Sequence, residues 1–209
     1  MIRAIDLTGE FIKKEMNFEI EKGSRTVFIF EREEQGEEFL KLITAIKNPE
    51  KGDVIFMGHN LKKTPRDELF KLRKKIGIVF KSGGLISNLK AWENLILPAL
   101  YHKVDKEEEI IKRGMELLKK LEFKKEPMSP VSELTNLEKR IIGIVRAFLM
   151  NAEVMIFEYP FDGLKDSEKE EVVEKIQQIG GTSTMLYILS SERESLLIEK
   201  ADVVKYAEN

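Results

Sequence analysis

Three features of the chain predict an α/β domain with a mostly parallel core sheet. Short apolar runs of strand length alternate with longer segments of helical period. The 209 residues, 42% of them apolar, can bury a sizeable core. A strong apolar run, Thr26 to Phe30, leads through a tight polar loop into a helix carrying Phe39, Leu40, Leu42, Ile43 and Ile46 toward that core.

Taken in order, Ile2 to Leu7 and Met16 to Ile20 read as antiparallel strands feeding the first core strand, Thr26 to Phe30. The helix after it stops before Asn48-Pro49. Asp53 to Phe56 is a short strand followed by a turn at Met57 to Asn60. Thr64-Pro65-Arg66-Asp67 is a helix start, with Thr64 as cap and Pro65 at the first helical position. Ile76 to Phe80 is the next core strand, and Lys81 to Lys90 is an exposed linker with Gly83-Gly84. Ala91 to about Lys120 is helical, with Asp105 and Glu108 in a capping arrangement. Thr135 caps a helix from about Leu137 to Met150, with Glu138 completing a capping box. Val154 to Phe157 is a buried strand, Ser167 with Glu170 opens a helix ending at Gly180-Gly181, and Met185 to Leu189 and Val203 to Tyr206 close the set. The expected organisation is a single domain over 1–209, with a helical subdomain at about 82–150 inserted between the core strands. There is no internal repeat.

Composition excludes several classes of function. No apolar run approaches the roughly 20 residues that span a bilayer, and the N-terminus is not a signal peptide. A cytoplasmic protein is expected. With no cysteine there is no disulfide or thiolate site, and His59 and His102 are far apart, so no metal site is expected. A net charge of −2 argues against a nucleic-acid partner. Charged residues make up 34%, a composition compatible with heat adaptation.

The strand–loop–helix at 26–43 is the frame of a phosphate-binding loop. From end to end the chain resembles the ATP-binding subunit of an ABC transporter. Residues 76–100, with Asn94, look like the segment that follows the strand and Q-loop of that family. Residues 134–164, with Arg146-Ala147, look like its signature helix, Walker B strand and D-loop, and 188–202 like its H-loop region. Gly83-Gly84-Leu85 and Leu97-Pro98 carry a similarity to the Mla-type branch of lipid and solvent-tolerance transport. The resemblance implies a P-loop NTPase-like ABC ATPase fold with N-terminal antiparallel strands and a helical subdomain.

Compared with that family, the chemical positions are altered. A working phosphate loop needs glycines, a lysine on the β/γ-phosphates and a Ser or Thr on Mg²⁺. Phe30 and Gln35 stand at the glycine positions, Gly36 at the lysine position and Glu37 at the hydroxyl position. Sliding by one residue puts Glu37 and Glu38 in the last two. A carboxylate about 5 Å from a phosphate charge costs roughly 3 kcal/mol at an effective dielectric near 20. Glu37 or Glu38 is expected to satisfy the helix N-terminus itself. Lys81 replaces the Q-loop glutamine, Thr135-Asn136-Leu137 the signature Ser-Gly-Gly, and Ser191 the H-loop histidine. Glu158 keeps an acid in Walker B, but Tyr159 stands at the catalytic base. Phe11 lies where the family stacks adenine, or is simply a strand residue.

These positions lead to an expected non-enzyme, a pseudo-ATPase binding neither ATP nor Mg²⁺. It would act as a scaffold or regulator on a membrane permease, with lipid transport as one setting. The permease would dock beside Lys81, Gly84, Leu85, Ile86, Leu89 and Trp92, where Trp92 is either an anchor or part of the subdomain core. The chain would pair with itself or with an active ABC ATPase, on the inner face of the cell membrane. It ends soon after Tyr206, so a C-terminal dimerisation element is expected to be missing. The alternatives are a divergent ABC ATPase that still binds nucleotide, and a soluble binding module outside transport.

Overall fold

A computed structural model describes residues 1–208. The chain divides into two compact units, residues 1–74 with 184–209, and residues 75–183. Among the described residues no helix is long and apolar enough to cross a membrane.

The first unit holds two sets of strands. Strands β1 (Ile2–Thr8), β2 (Met16–Ile20), β4 (Lys51–Phe56) and β5 (His59–Asn60) form an antiparallel sheet in the order β2-β1-β4-β5. Strand β3 (Arg25–Phe30) lies between β8 (Thr184–Leu189) and β9 (Asp202–Tyr206), parallel to both. Helix α1 (Glu33–Ile43) follows β3 after a short loop. Its Phe39 sits between Phe28 and Phe30 of β3, ring centroids 4.5 and 5.2 Å away, with Phe18 of β2 at 5.5 Å. This aromatic cluster fixes the angle at which the loop leaves the strand. Helix α2 (Arg66–Arg73) starts one residue later than its capping pattern predicts. Pro65 takes the N-cap position, and Thr64 donates its hydroxyl to the Asn60 carbonyl instead.

The second unit holds the parallel pair β6 (Ile76–Val79) and β7 (Val154–Glu158) with four longer helices. The helical stretch after Ala91 is two helices, α3 (Ala91–His102) and α4 (Glu107–Lys120). Lys103 ends α3 in the left-handed region, φ 50°, and Lys106 rather than Asp105 caps α4. Helix α5 (Asn136–Leu149) begins as the sequence predicts. Thr135 Oγ1 accepts from the Glu138 amide at 3.2 Å, and Glu138 Oε2 from the Thr135 amide at 2.8 Å. Helix α6 (Asp166–Gly180) starts at Lys165, ahead of the Ser167 box. The short α7 (Glu192–Ser195) belongs to the first unit. Lys81 to Lys90 is not a free linker: Lys81–Gly84 is a 3₁₀ turn, and the buried Asn94 amide grips Ile86 through both its N–H and C=O.

Candidate functional site

In the first unit the phosphate-loop frame is present with altered contents. Phe30 is fully buried, stacked near Phe39 and Tyr206. Gln35 is buried and turns back, its Oε1 accepting from the Arg32 amide at 3.1 Å, which closes the start of α1. Gly36 is buried, and Glu37 is exposed and pairs with Lys41 one turn on. Arg32, the cation of this loop, pairs with Glu208 at 2.9 Å.

Glu38 has a different task from the helix-terminus role its position predicts. Its side chain is 3% exposed. The carboxylate accepts from the backbone amides of Glu10 at 2.9 Å and Phe11 at 2.5 Å, and from Lys47 Nζ at 2.5 Å. Burial opposes ionisation here. The hydrogen bonds from Lys47, Phe11 and Glu10, together with the Lys47 charge, outweigh it and hold the carboxyl below its ordinary 4.5. The same contacts raise Lys47, chiefly the bond to Glu38 and then that to Glu10. The arrangement also accounts for Gly9, where an added Cβ would lie 2.7 Å from the Glu38 carboxyl. Phe11 is thus tied through its backbone to α1, with its side chain half-buried. Ser191 caps α7, accepting from the Arg193 amide at 3.2 Å.

In the second unit Glu158 ends β7, 9% exposed. Its Oε2 accepts weakly from the Lys81 amide at 3.4 Å, while Lys81 Nζ pairs with Asp162 at 3.5 Å. Tyr159 is buried with φ 42°, a left-handed conformation that turns the chain sharply off the strand. Asn136 donates its side-chain amide to the Gly163 carbonyl at 3.3 Å, and Leu137 is half-buried. Of the docking positions, Gly84 and Ile86 are exposed, and Lys81, Leu85, Leu89 and Trp92 are half-buried. The Trp92 ring packs over Gly114 of α4, where an added Cβ would lie 3.1 Å from it.

Sequence reasoning named Arg146 and Gly83 only as family landmarks and passed over Arg140, and these residues hold the loops. Arg140, 1% exposed, donates from Nη1 to the Phe80 carbonyl at 2.9 Å and from Nη2 to the Asp162 carbonyl at 3.1 Å. Arg146 donates to the carbonyls of Gly84 at 2.8 Å and Gly83 at 2.7 Å. Gly83 has φ +80°, and a Cβ there would lie 2.3 Å from the Lys139 carbonyl oxygen. The signal was the pair of arginines six residues apart in an otherwise apolar helical run, which reads as ordinary surface charge until the fold is known.

A polar loop between parallel strand and helix, and an acid ending a second buried strand, define the class: a P-loop NTPase-like α/β cassette. The ABC transporter family matches residues 37–162. Among the relatives are the lipoprotein-releasing system ATP-binding protein LolD of Buchnera aphidicola (25% identical, 100% of this chain, 94% of LolD) and the intermembrane phospholipid transport system ATP-binding protein MlaF of Haemophilus influenzae (23%, 90% and 71%). The chain spans only 28% of the macrolide export ATP-binding/permease protein MacB of Campylobacter jejuni, with 27% identity over 87% of itself. The dimeric structure of MJ0796, a bacterial ABC transporter cassette, superposes with a TM-score of 0.82 at 24% identity, covering 98% of this chain and 94% of that one. The chain belongs to the ABC transporter family, as an ATP-binding-subunit homologue with the ABC cassette fold.

Two expectations are corrected by this. A chain that is no enzyme and binds neither ATP nor Mg²⁺ does not agree with membership of a family whose relatives are ATP-binding proteins by name. The expectation rested on residue identities at single positions, which do not by themselves decide whether a phosphate or metal is bound. The similarity to LolD is no less than that to MlaF, so it does not single out the Mla branch.

Proposed function

We propose that this chain is a divergent ABC transporter ATPase subunit that binds and turns over Mg-nucleotide beneath a membrane permease. The observation that supports it most is the family match over 37–162, which runs from α1 to the turn after Glu158. Each unit keeps groups of the type that a Mg-triphosphate needs, in altered form, although the acids Glu31, Glu33 and Glu34 beside Arg32 weaken the first. In the first unit Arg32, on leaving Glu208, would supply a positive charge in place of lysine, and the amides opening α1 the helix N-terminus. In the second unit, taken by itself, Glu158 would be the carboxylate available to Mg²⁺, which takes few protein ligands beside phosphates. When bound, the metal neutralises charge on the transferring phosphoryl group. Phe11 is the candidate platform for the base. With Gln35, Gly36, Glu37 and Ser191 altered in the first unit, and Lys81, Thr135, Asn136, Leu137 and Tyr159 in the second, weak binding and slow turnover are the expected outcome.

The segment 81–97 is the proposed permease contact, with exposed Ile86 and Leu97 as its apolar points. The cassette relative is a dimer, and the same pairing, with a second copy or another cassette, is proposed here. LolD and MlaF by name serve lipoprotein and phospholipid systems, which supports a lipid-linked permease as the first candidate partner. The test is titration calorimetry with Mg-ATP and a phosphate-release assay on the purified chain. Saturable heat and turnover abolished in Glu158→Gln are expected. No heat at millimolar nucleotide, with no turnover, refutes the proposal.

A further inference from the structure

Arg140, Gly143 and Arg146 recur every three residues on α5 and so share a face. That face meets the segment after β6. Gly143 allows the approach, since an added Cβ there would lie 2.9 Å from the Gly83 carbonyl oxygen. Arg146 binds the adjacent Gly83 and Gly84 carbonyls, whereas Arg140 binds one carbonyl in each of two loops, Phe80 before Lys81 and Asp162 after Glu158. The Asp162 carboxylate pairs with Lys81, whose amide reaches Glu158. Both chain segments flanking the Glu158 carboxylate therefore hang on one buried guanidinium.

Such a guanidinium is costly. Its Nε has no hydrogen-bond partner among the described residues, and burial pulls the group from 12.5 down to about 10, against the nearby charges of Asp162 and Glu158. Burying a charge costs more than burying an apolar side chain of like volume, and the two carbonyl bonds offset only part of that cost. Stability alone is a poor reason for the charge, and its geometry supplies another.

We propose that Arg140 is a positioning residue for Glu158: it binds the 80–84 segment and the 159–163 turn to α5, so that helix and both loops shift as one piece. Its effect on turnover rests on the reading of Glu158 as part of a nucleotide site; the tie itself does not. The experiment compares wild type with Arg140→Met, Arg140→Lys and Arg146→Met. Residue-resolved amide exchange on the nucleotide-free protein comes first. Arg140→Met is expected to speed exchange roughly tenfold or more in both loops. Arg146→Met does so only at 83–84, and Arg140→Lys gives an intermediate result. With Mg-ATP, Arg140→Met is expected to lower kcat roughly tenfold with KM little changed, and Arg140→Lys to restore part of it. Should Arg140→Met fail to fold, Arg140→Gln takes its place. Unchanged exchange around Asp162, or equal loosening of that turn in Arg146→Met, overturns the proposal. A wild type without any turnover overturns the functional reading instead, and the exchange result still decides the tie.

Discussion

Replacing Lys47 with methionine strips the buried Glu38 carboxylate of its cation while leaving the two amide bonds of Glu10 and Phe11 in place. A hydrogen bond to a charged group contributes about 1.5–3 kcal/mol. Lys47 is itself 37% exposed, so solvent screening puts the expected loss toward the lower end, about 2 kcal/mol. Glu38→Ala removes all three bonds and leaves two backbone donors without acceptors, for an expected loss of about 3–5 kcal/mol. Glu38→Gln keeps a carbonyl acceptor and falls between wild type and alanine. The pH dependence has a definite sign. The folded-state carboxyl lies below 4.5, so its contribution is complete above the unfolded value and disappears as pH falls through the folded one. The gap between wild type and Glu38→Gln in urea midpoints should therefore be full at neutral pH and shrink in acid below 4.5. A gap that stays constant through that window, or a Lys47→Met variant as stable as wild type, refutes the account of the buried pair.

Three further outcomes follow from the second unit. Gly83→Ala forces a Cβ against the α5 backbone at a positive φ and should cost upwards of about 3 kcal/mol, lowering Tm by roughly 6–12 °C in a thermal melt. Thr135→Ala removes the α5 cap and should cost about 1 kcal/mol, whereas Thr135→Ser should cost little, read from the same melts. Asn94→Ala releases Ile86 and should speed amide exchange there while leaving Gly83, held by Arg146, unchanged.

Features set by neighbouring residues were legible in the sequence. The strand–helix alternation, the Thr135 box and the strand–loop–helix at 26–43 need only a short window, because the cap reaches three residues and the periods repeat within one or two turns. The α2 and α6 starts slipped by a residue or two, because Thr64 found the Asn60 carbonyl and Lys165 took a box with Glu168. Family membership was legible because its landmarks are spaced along the chain. The loss of nucleotide chemistry was inferred from identities alone, and that inference did not hold.

The sequence alone determined which segments are strands and helices, which faces are apolar and which family they belong to, since local periodicity and spacing are written in the order of residues. It could not show what Glu38 and Arg140 do. Their partners lie 27 and 60 residues away, and a buried charge is placed by whichever donors the folded chain brings within 3 Å of it. Only the tertiary structure decided that one acid of an acidic loop is buried in a nest of amides, and that an arginine in an apolar helix holds two loops.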